Sequence, residues 1–312
     1  MSNDDANAKP TPEFSIVIGL VSTEDADRIL ETLTELRRQT PARSYEVLIG
    51  DRRQDAVSAR IRSEFPEALV ISAPADTALP VLRTLALERA RGELVIVTED
   101  HCVPPRDWLD SMARAFDAAP PGTAAVGGCV ENGVTERALD WATFLCEYSF
   151  FLPPVAEGAT PVLPGMNVAY RRAALDNIDR DHLTSGFWET TVHPALIREG
   201  RTLYSSNRIR LFHCKRFSLR LFCAQRFLYS RYYAALRFGR GEGLRRTAAL
   251  VLTPALPVVL LARMMRQCRQ KRLPARVLVG ALPALALFVL IWAVGEMVGY
   301  AFGRGDALAR IE

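Results

Sequence analysis

Residues 95–105 read VIVTEDHCVPP. Apolar and β-branched residues of the kind that fill a buried strand run straight into Glu99, Asp100 and His101, then Cys102, Val103 and two prolines. Polar and charged groups taken out of water without partners cost free energy. A buried strand that ends on three of them therefore ends in solvent or at something they bind.

The flanking sequence favours the second outcome. FSIVIGL (14–20), YEVLIG (45–50), ALVIS (68–72) and ELVIVT (93–98) are apolar runs of strand length. Ile29, Leu30, Leu33 and Leu36 form a helical stripe between the first two, and ALPVLRTLALERA (78–90) reads as a helix before the fourth. Strands apolar on both faces and separated by helix-length segments predict an α/β fold with a parallel sheet covered on both sides. Ligands of such sheets bind beyond the carboxyl ends of the strands, where Asp51 and the Glu99-Asp100-His101 run both fall. The first strand-to-helix turn, GLVSTED, has neither GxGxxG nor a P-loop lysine, and no HExxH, GxSxG or CxxC occurs in the chain. These absences argue against a dinucleotide enzyme or a Walker-type NTPase. The chemistry rests on carboxylates and histidines.

Five segments in register carry a family resemblance: FSIVIGL, YEVLIGD, ALERARGELVIVTEDHCVPPRDWL, PGMNVAYRRAAL and GFWETTVHPALIREGRTLYSSNRIRLFH. Over roughly residues 14–235 the chain resembles the family 2 glycosyltransferases, inverting enzymes with a GT-A-type doubly wound mixed sheet flanked by helices. The resemblance implies a nucleotide-sugar donor and a divalent metal, Mn²⁺ or Mg²⁺. It implies that Asp51 contacts the nucleotide base and that Glu99-Asp100-His101 stands where the family holds a cation against the donor's diphosphate. The run departs from the usual Asp-x-Asp pattern, with Glu first and His last. Asp100 is the expected metal ligand and His101 its rival, while Glu99 faces the ribose or a basic neighbour. An imidazole among the ligands shifts the preference towards Mn²⁺. His213 matches a histidine that reaches the metal or diphosphate in some GT-A enzymes. Glu189 matches the acid that takes the proton from the acceptor hydroxyl. The family's usual Glu-Asp pair is here Glu189-Thr190. Gly165 permits close backbone approach, and Asn167 either meets sugar hydroxyls or satisfies buried backbone. His182 and His193 have no such match and are read as structural.

Charge is unevenly spread. The net balance is +4, yet residues 201–276 hold eighteen Lys/Arg against one acid, Glu242. Such a segment seeks an anionic partner. The apolar runs beside it, Thr247–Ala262 and Val277–Gly295, favour a membrane over nucleic acid. Two full crossings would put the basic clusters 237–246 and 263–276 on opposite sides, against the tendency of basic loops to stay cytosolic. The expected organisation is a disordered 1–13, a glycosyltransferase domain at 14–215 and a basic amphipathic membrane-surface helix at 216–246. A proline-bent re-entrant or interfacial segment at 247–262, one span at 277–302 and a tail at 304–312 complete it. Two spans, or two buried core helices, are the alternatives. No secretory leader is visible, and the six cysteines show no pairing pattern, which fits free thiols in the cytosol.

The resulting expectation is a glycosyltransferase on the inner membrane with its catalytic domain facing the cytosol. It acts on a glycan or lipid-linked acceptor and has no nucleic-acid partner. A nucleotidyltransferase would need a glycine- and lysine-rich N-terminal signature that GLVSTED lacks. A non-catalytic membrane scaffold of the same fold is the rival of a different class.

Overall fold

The four apolar runs of the N-terminal half read as strands all become strands. In the computed structural model, which describes residues 10–178, 186–239 and 241–312, β1 (Phe14–Leu20) is buried at all seven positions. It is followed by α1 (Arg28–Arg37), β2 (Tyr45–Asp51), α2 (Ala56–Glu64), β3 (Leu69–Ser72), α3 (Leu79–Leu87) and β4 (Leu94–Glu99). β1 pairs in parallel with β2 and β4, and β2 with β3. The register sets Asp51 opposite Leu20 and Glu99 opposite Gly19, so the two acids end the strands on either side of β1, at its carboxyl end. His182 lies outside the described residues.

The second half turns the sheet mixed. β5 (Cys102–Val103), α4 (Trp108–Ala118), β6 (Thr123–Asn132), α5 (Ala138–Tyr148), β7 (Gly158–Ala159), β8 (Val168–Arg171) and α6 (Arg172–Asp176) follow. α7 (Glu189–Arg198) and β9 (Thr202–His213) complete this half. The strand order is β3-β2-β1-β4-β8-β6-β9-β5, with β7 joined to β9. β8 runs antiparallel to both β4 and β6, and β6 runs parallel to β9. The short antiparallel pair β5–β9 matters most for the site, because it sets Cys102 opposite His213.

The C-terminal third departs from expectation. α8 (Leu219–Leu236), α9 (Gly243–Leu252), α10 (Leu256–Gln270) and α11 (Ala275–Phe302) are helical as predicted. However, the helix expected at the membrane surface is internal. Phe222, Arg226, Leu228 and Tyr232 of α8 are buried, and α8 packs along α11. A Cβ at Gly295 would meet Ser230 Oγ at 2.1 Å and one at Gly299 would meet the Arg231 carbonyl at 2.4 Å, so these glycines let the two backbones close together. One apolar cluster runs from Phe14 and Ile16 through Phe222, Met264 and Cys268 to Leu285 and Phe288. The packing therefore has no break at residue 215.

Both α9–α10 and α11 are long and apolar enough to cross a membrane. α11 has 28 residues, about 42 Å at 1.5 Å per residue. Both of its ends are nevertheless held by the catalytic domain. Before it, Lys271 Nζ donates to the carbonyls of Phe150 (2.8 Å) and Leu152. After it, residues 304–312 return to the sheet edge, where Thr23 Oγ1 donates to the Glu312 carboxylate at 2.7 Å. The helix lies along the domain, whereas the expected single span would carry residue 302 away from it. Its outer side stays apolar. Among the described residues, twelve of the eighteen exposed large hydrophobic side chains fall between Leu244 and Phe302.

Candidate active site

The turn after β4 sends three side chains in different directions. Asp100 faces inward. One oxygen accepts from the Val21 and Ser22 backbone N–H groups (2.9 and 2.8 Å). The other accepts from Ser22 Oγ (2.6 Å) and lies 2.8 Å from His101 Nδ1. Both carboxylate oxygens are thus committed to the β1–α1 turn and to orienting the imidazole. So held, Asp100 still lines the cavity beside His101. Burial raises a carboxyl, but here the His101 hydrogen bond and charge, with Lys215 and Ser22, hold Asp100 well below its ordinary range.

His101 presents its other nitrogen to the pocket. Nε2 lies 3.2 Å from a Glu99 oxygen and 3.1 Å from His213 Nε2, which the β5–β9 pairing delivers from across the sheet. Two ligands of one ion, each at about 2.1 Å, sit about 3 Å apart, and a carboxylate behind an imidazole is the usual support for a ligating histidine. Glu99, His101 and Cys102 also offer ligand atoms within 4.8 Å of one another. Burial, and then the charge of Glu99, push the Cys102 thiol well up, so it stays protonated and suits a hard ion poorly. Glu99 and His101 are the better donors of that group, and His213 Nε2 stands 3.1 Å from His101 Nε2. Burial would raise Glu99, but its bond to His101 and the charges of His101 and Arg83 bring it down to about 2. Burial also acts against protonation of His101, yet its bonds to Asp100 and Glu99 raise it. Burial and His101 together depress His213. The pair holds at most one proton between two facing nitrogens.

Glu189 opens α7. The chain before it is fixed by the Phe187 N–H, which lies 2.9 Å from both the Pro80 carbonyl and Thr84 Oγ1 at the start of α3. That seating brings Glu189 to Arg83, a residue the sequence reading passed over as one position of a helix. Arg83 is buried, and its guanidinium reaches Glu189 on one side and Glu99 on the other, each at 3.5 Å. One cation thus links the candidate base to the candidate metal ligand. Burial raises Glu189, with Arg83 opposing. Gly165 explains itself here, since a Cβ would lie 2.5 Å from Glu189 Cδ.

Other expectations divide. Asn167 does not face the pocket. It accepts from Trp108 Nε1 (2.8 Å) and donates to the carbonyls of Cys129 (2.7 Å) and Ile209 (3.2 Å), which is the second of its two expected roles, satisfying buried backbone, and joins β6, β9 and α4. Asp51 is fully buried at the end of β2. One oxygen accepts from the Arg53 and Gln54 N–H groups and the other has no hydrogen-bond partner. His193 is buried against Tyr170 OH at 2.7 Å, and burial lowers it to about 4, in keeping with a structural role. The sequence reading also missed Lys215. It is buried, donates to Ser22 Oγ at 3.0 Å and lines the same cavity as Glu99, His101 and His213. A cation two residues after His213 was the available signal.

A family model described as glycosyl transferase family 2 matches residues 15–179, more than half of the chain. No curated protein matches. Among solved structures the chain is similar to a mannosyltransferase, PcManGT of Pyrobaculum calidifontis, in complex with GDP-Man and Mn²⁺. The TM-score is 0.54 at 17% identity, covering 92% of this chain and 88% of that one. S. aureus TarS 1–349 in complex with UDP is similar at a TM-score of 0.48 and 15% identity, covering 92% and 90%, and that likeness carries no further argument. At these identities the likeness is one of fold. The family match runs from β1 through α6 and takes in Asp51, the Glu99–His101 run and Gly165, so the chain belongs to glycosyl transferase family 2 and is a glycosyltransferase of GT-A fold.

Proposed function

We propose that the protein transfers a sugar from a nucleotide-diphosphate donor, with inversion, to a hydroxyl of a lipid-linked acceptor. The observation that carries this reading is one buried cation, Arg83, that joins Glu189 to Glu99. A base for the acceptor and a cradle for the leaving group share one site. Glu189 takes the acceptor proton as the acceptor oxygen bonds to the anomeric carbon from the face opposite the diphosphate. The bond to the diphosphate breaks, and its electron pair leaves with the nucleotide. Glu99, His101 and His213 would hold a divalent ion, Mn²⁺ over Mg²⁺ for a set with two imidazoles, which when bound stabilises charge on the departing diphosphate as a Lewis acid. Asp100 and Ser22 keep His101 in place, and Asp51 stands ready for the nucleobase.

Calorimetry with UDP-, GDP-, dTDP- and CMP-sugars, with and without Mn²⁺, tests this on detergent-solubilised protein. One nucleotide class should bind in a metal-dependent way. His101→Ala should abolish the metal dependence, and Asp100→Asn should weaken it by about 10–100-fold. Binding indifferent to Mn²⁺ and to both substitutions would sink the metal assignment.

The acceptor reading rests on a cavity of about 430 Å³ beside Glu189. Trp188, Tyr232 and Tyr233 line it from the catalytic side and Trp292 from α11. Aromatic faces suit the apolar faces of sugar rings, and α11 leads away along an apolar surface. The localisation reading places the domain on the cytosolic face of the inner membrane. α9–α11 lies in the interface rather than crossing it, because both ends of α11 are bound to the domain and both basic clusters then stay on one side. In membrane vesicles, Arg272→Cys and Arg304→Cys should both react with an impermeant maleimide from the cytosolic side. Arg272 alone reacting from the cytosolic side would mean one crossing. Arg304 alone reacting from the cytosolic side would mean two.

A further inference from the structure

The cavity that gathers the candidate donor-binding groups is nearly full. Glu99, Asp100, His101, His213, Lys215 and Glu312 line a space of about 30 Å³, room for no more than a few waters. Sites for small ligands run to about 300–1,000 Å³. The space is taken by the protein's own C-terminal segment. After α11, Gly303 and Gly305, both at positive φ, turn the chain back. Ala307 and Ile311 are fully buried among Trp188, Leu228 and Tyr232. Arg52, next to Asp51, donates to the carbonyls of Ala309 (3.3 Å) and Ile311 (3.1 Å). Gln225 donates to the Arg310 carbonyl (3.2 Å) and accepts from the Glu312 N–H (3.0 Å).

Glu312 is the telling residue. Its carboxylate accepts from Thr23 Oγ1 (2.7 Å) and the Thr23 N–H (3.3 Å) and lies 3.5 Å from the buried Lys215 Nζ. A backbone N–H, a hydroxyl and an ammonium group around one anion are what a phosphate oxygen would use. We propose that residues 304–312 form a strap that closes the donor site, with Glu312 standing in for an anionic group of the donor, so that strap and nucleotide exclude one another. The inference rests on the nucleotide-donor reading above. Donor affinity is then reduced by the fraction of molecules whose strap is open, and release of the strap raises it.

UDP and GDP with Mn²⁺ are the probes, titrated calorimetrically into the full chain. Ile311→Asp, which cannot stay among Trp188, Leu228 and Tyr232, should tighten binding of the preferred nucleotide about tenfold or more, and Glu312→Gln several-fold. In wild-type protein the same nucleotide should speed tryptic cleavage after Arg304 and Arg310. Equal affinity in wild type and both variants, with cleavage unchanged, overturns the strap while leaving the donor reading intact. Weaker binding in the variants also overturns it, because the segment would then be part of the binding site. No binding to any variant overturns both readings.

Discussion

Glu189→Gln should lower kcat by about 10²–10⁴-fold while nucleotide binding stays within a factor of about two. The amide keeps the shape of the side chain beside Gly165 but cannot accept the acceptor proton. The site also fixes the form of the pH profile. Burial raises Glu189, and Arg83 only partly offsets this, so the ionised, active form is lost at a higher pH than for an ordinary carboxylate. The acidic limb of kcat should therefore lie above the usual carboxylate range in wild type and vanish in Glu189→Gln, because the remaining activity no longer depends on that group. A profile unchanged in shape, with kcat reduced less than about tenfold, would remove Glu189 as the base and leave it the dipole-favoured first residue of a helix.

The second large effect belongs to Arg83→Met. Methionine fills much of the same volume but leaves Glu99 and Glu189 facing one another without their shared cation. Removing one partner of a buried pair costs about 3–5 kcal/mol. Both carboxylates here are about one-fifth exposed and the contacts are 3.5 Å long, so the lower end, about 3 kcal/mol, is expected. The sign of the pH dependence follows. Without Arg83, Glu189 rises further above its unfolded value and binds its proton more tightly in the folded state. That favours folding at low pH and is lost as pH rises. The stability deficit against wild type should thus be larger near pH 8 than near pH 5, and the acidic limb of kcat should move to higher pH. Arg83→Lys, which restores the charge, should recover most of both. A deficit independent of pH and unrelieved by lysine would mean that Arg83 acts by packing alone.

The sheet was legible because its strands are continuous apolar runs with one reading each. β1, β2 and β4 lie within a residue of where periodicity put them, and Asp51 and Glu99 end them together. The ligand order was not legible. Whether Asp100 or His101 faces the pocket depends on which way each side chain leaves one turn, and only the Val21 and Ser22 N–H groups decide it. His213 meets His101 across 112 residues through a two-residue strand, β5, too short to announce itself. Arg83 was hidden because an arginine inside an apolar helix looks the same whether it faces solvent or two buried acids. The C-terminal helices were legible as helices long and apolar enough to cross a membrane, but what they pack against was not. Hydropathy counts apolar residues without regard to what covers them, and α11 is apolar on its packed side and on its outer side alike.

Gly165 and Glu189 share one volume. A glycine may be replaced only where there is space for a side chain, and here that space is filled by the carboxylate of the base. The two positions are therefore tied in inheritance as well as in space. While the acid stands at 189, every substitution at 165 displaces it. Once the acid is lost, the three atoms nearest to a Cβ at 165 go with it. Under the role proposed for Glu189, a side chain at 165 in a descendant of this chain would mark a shifted carboxylate, legible from one codon before any assay is run.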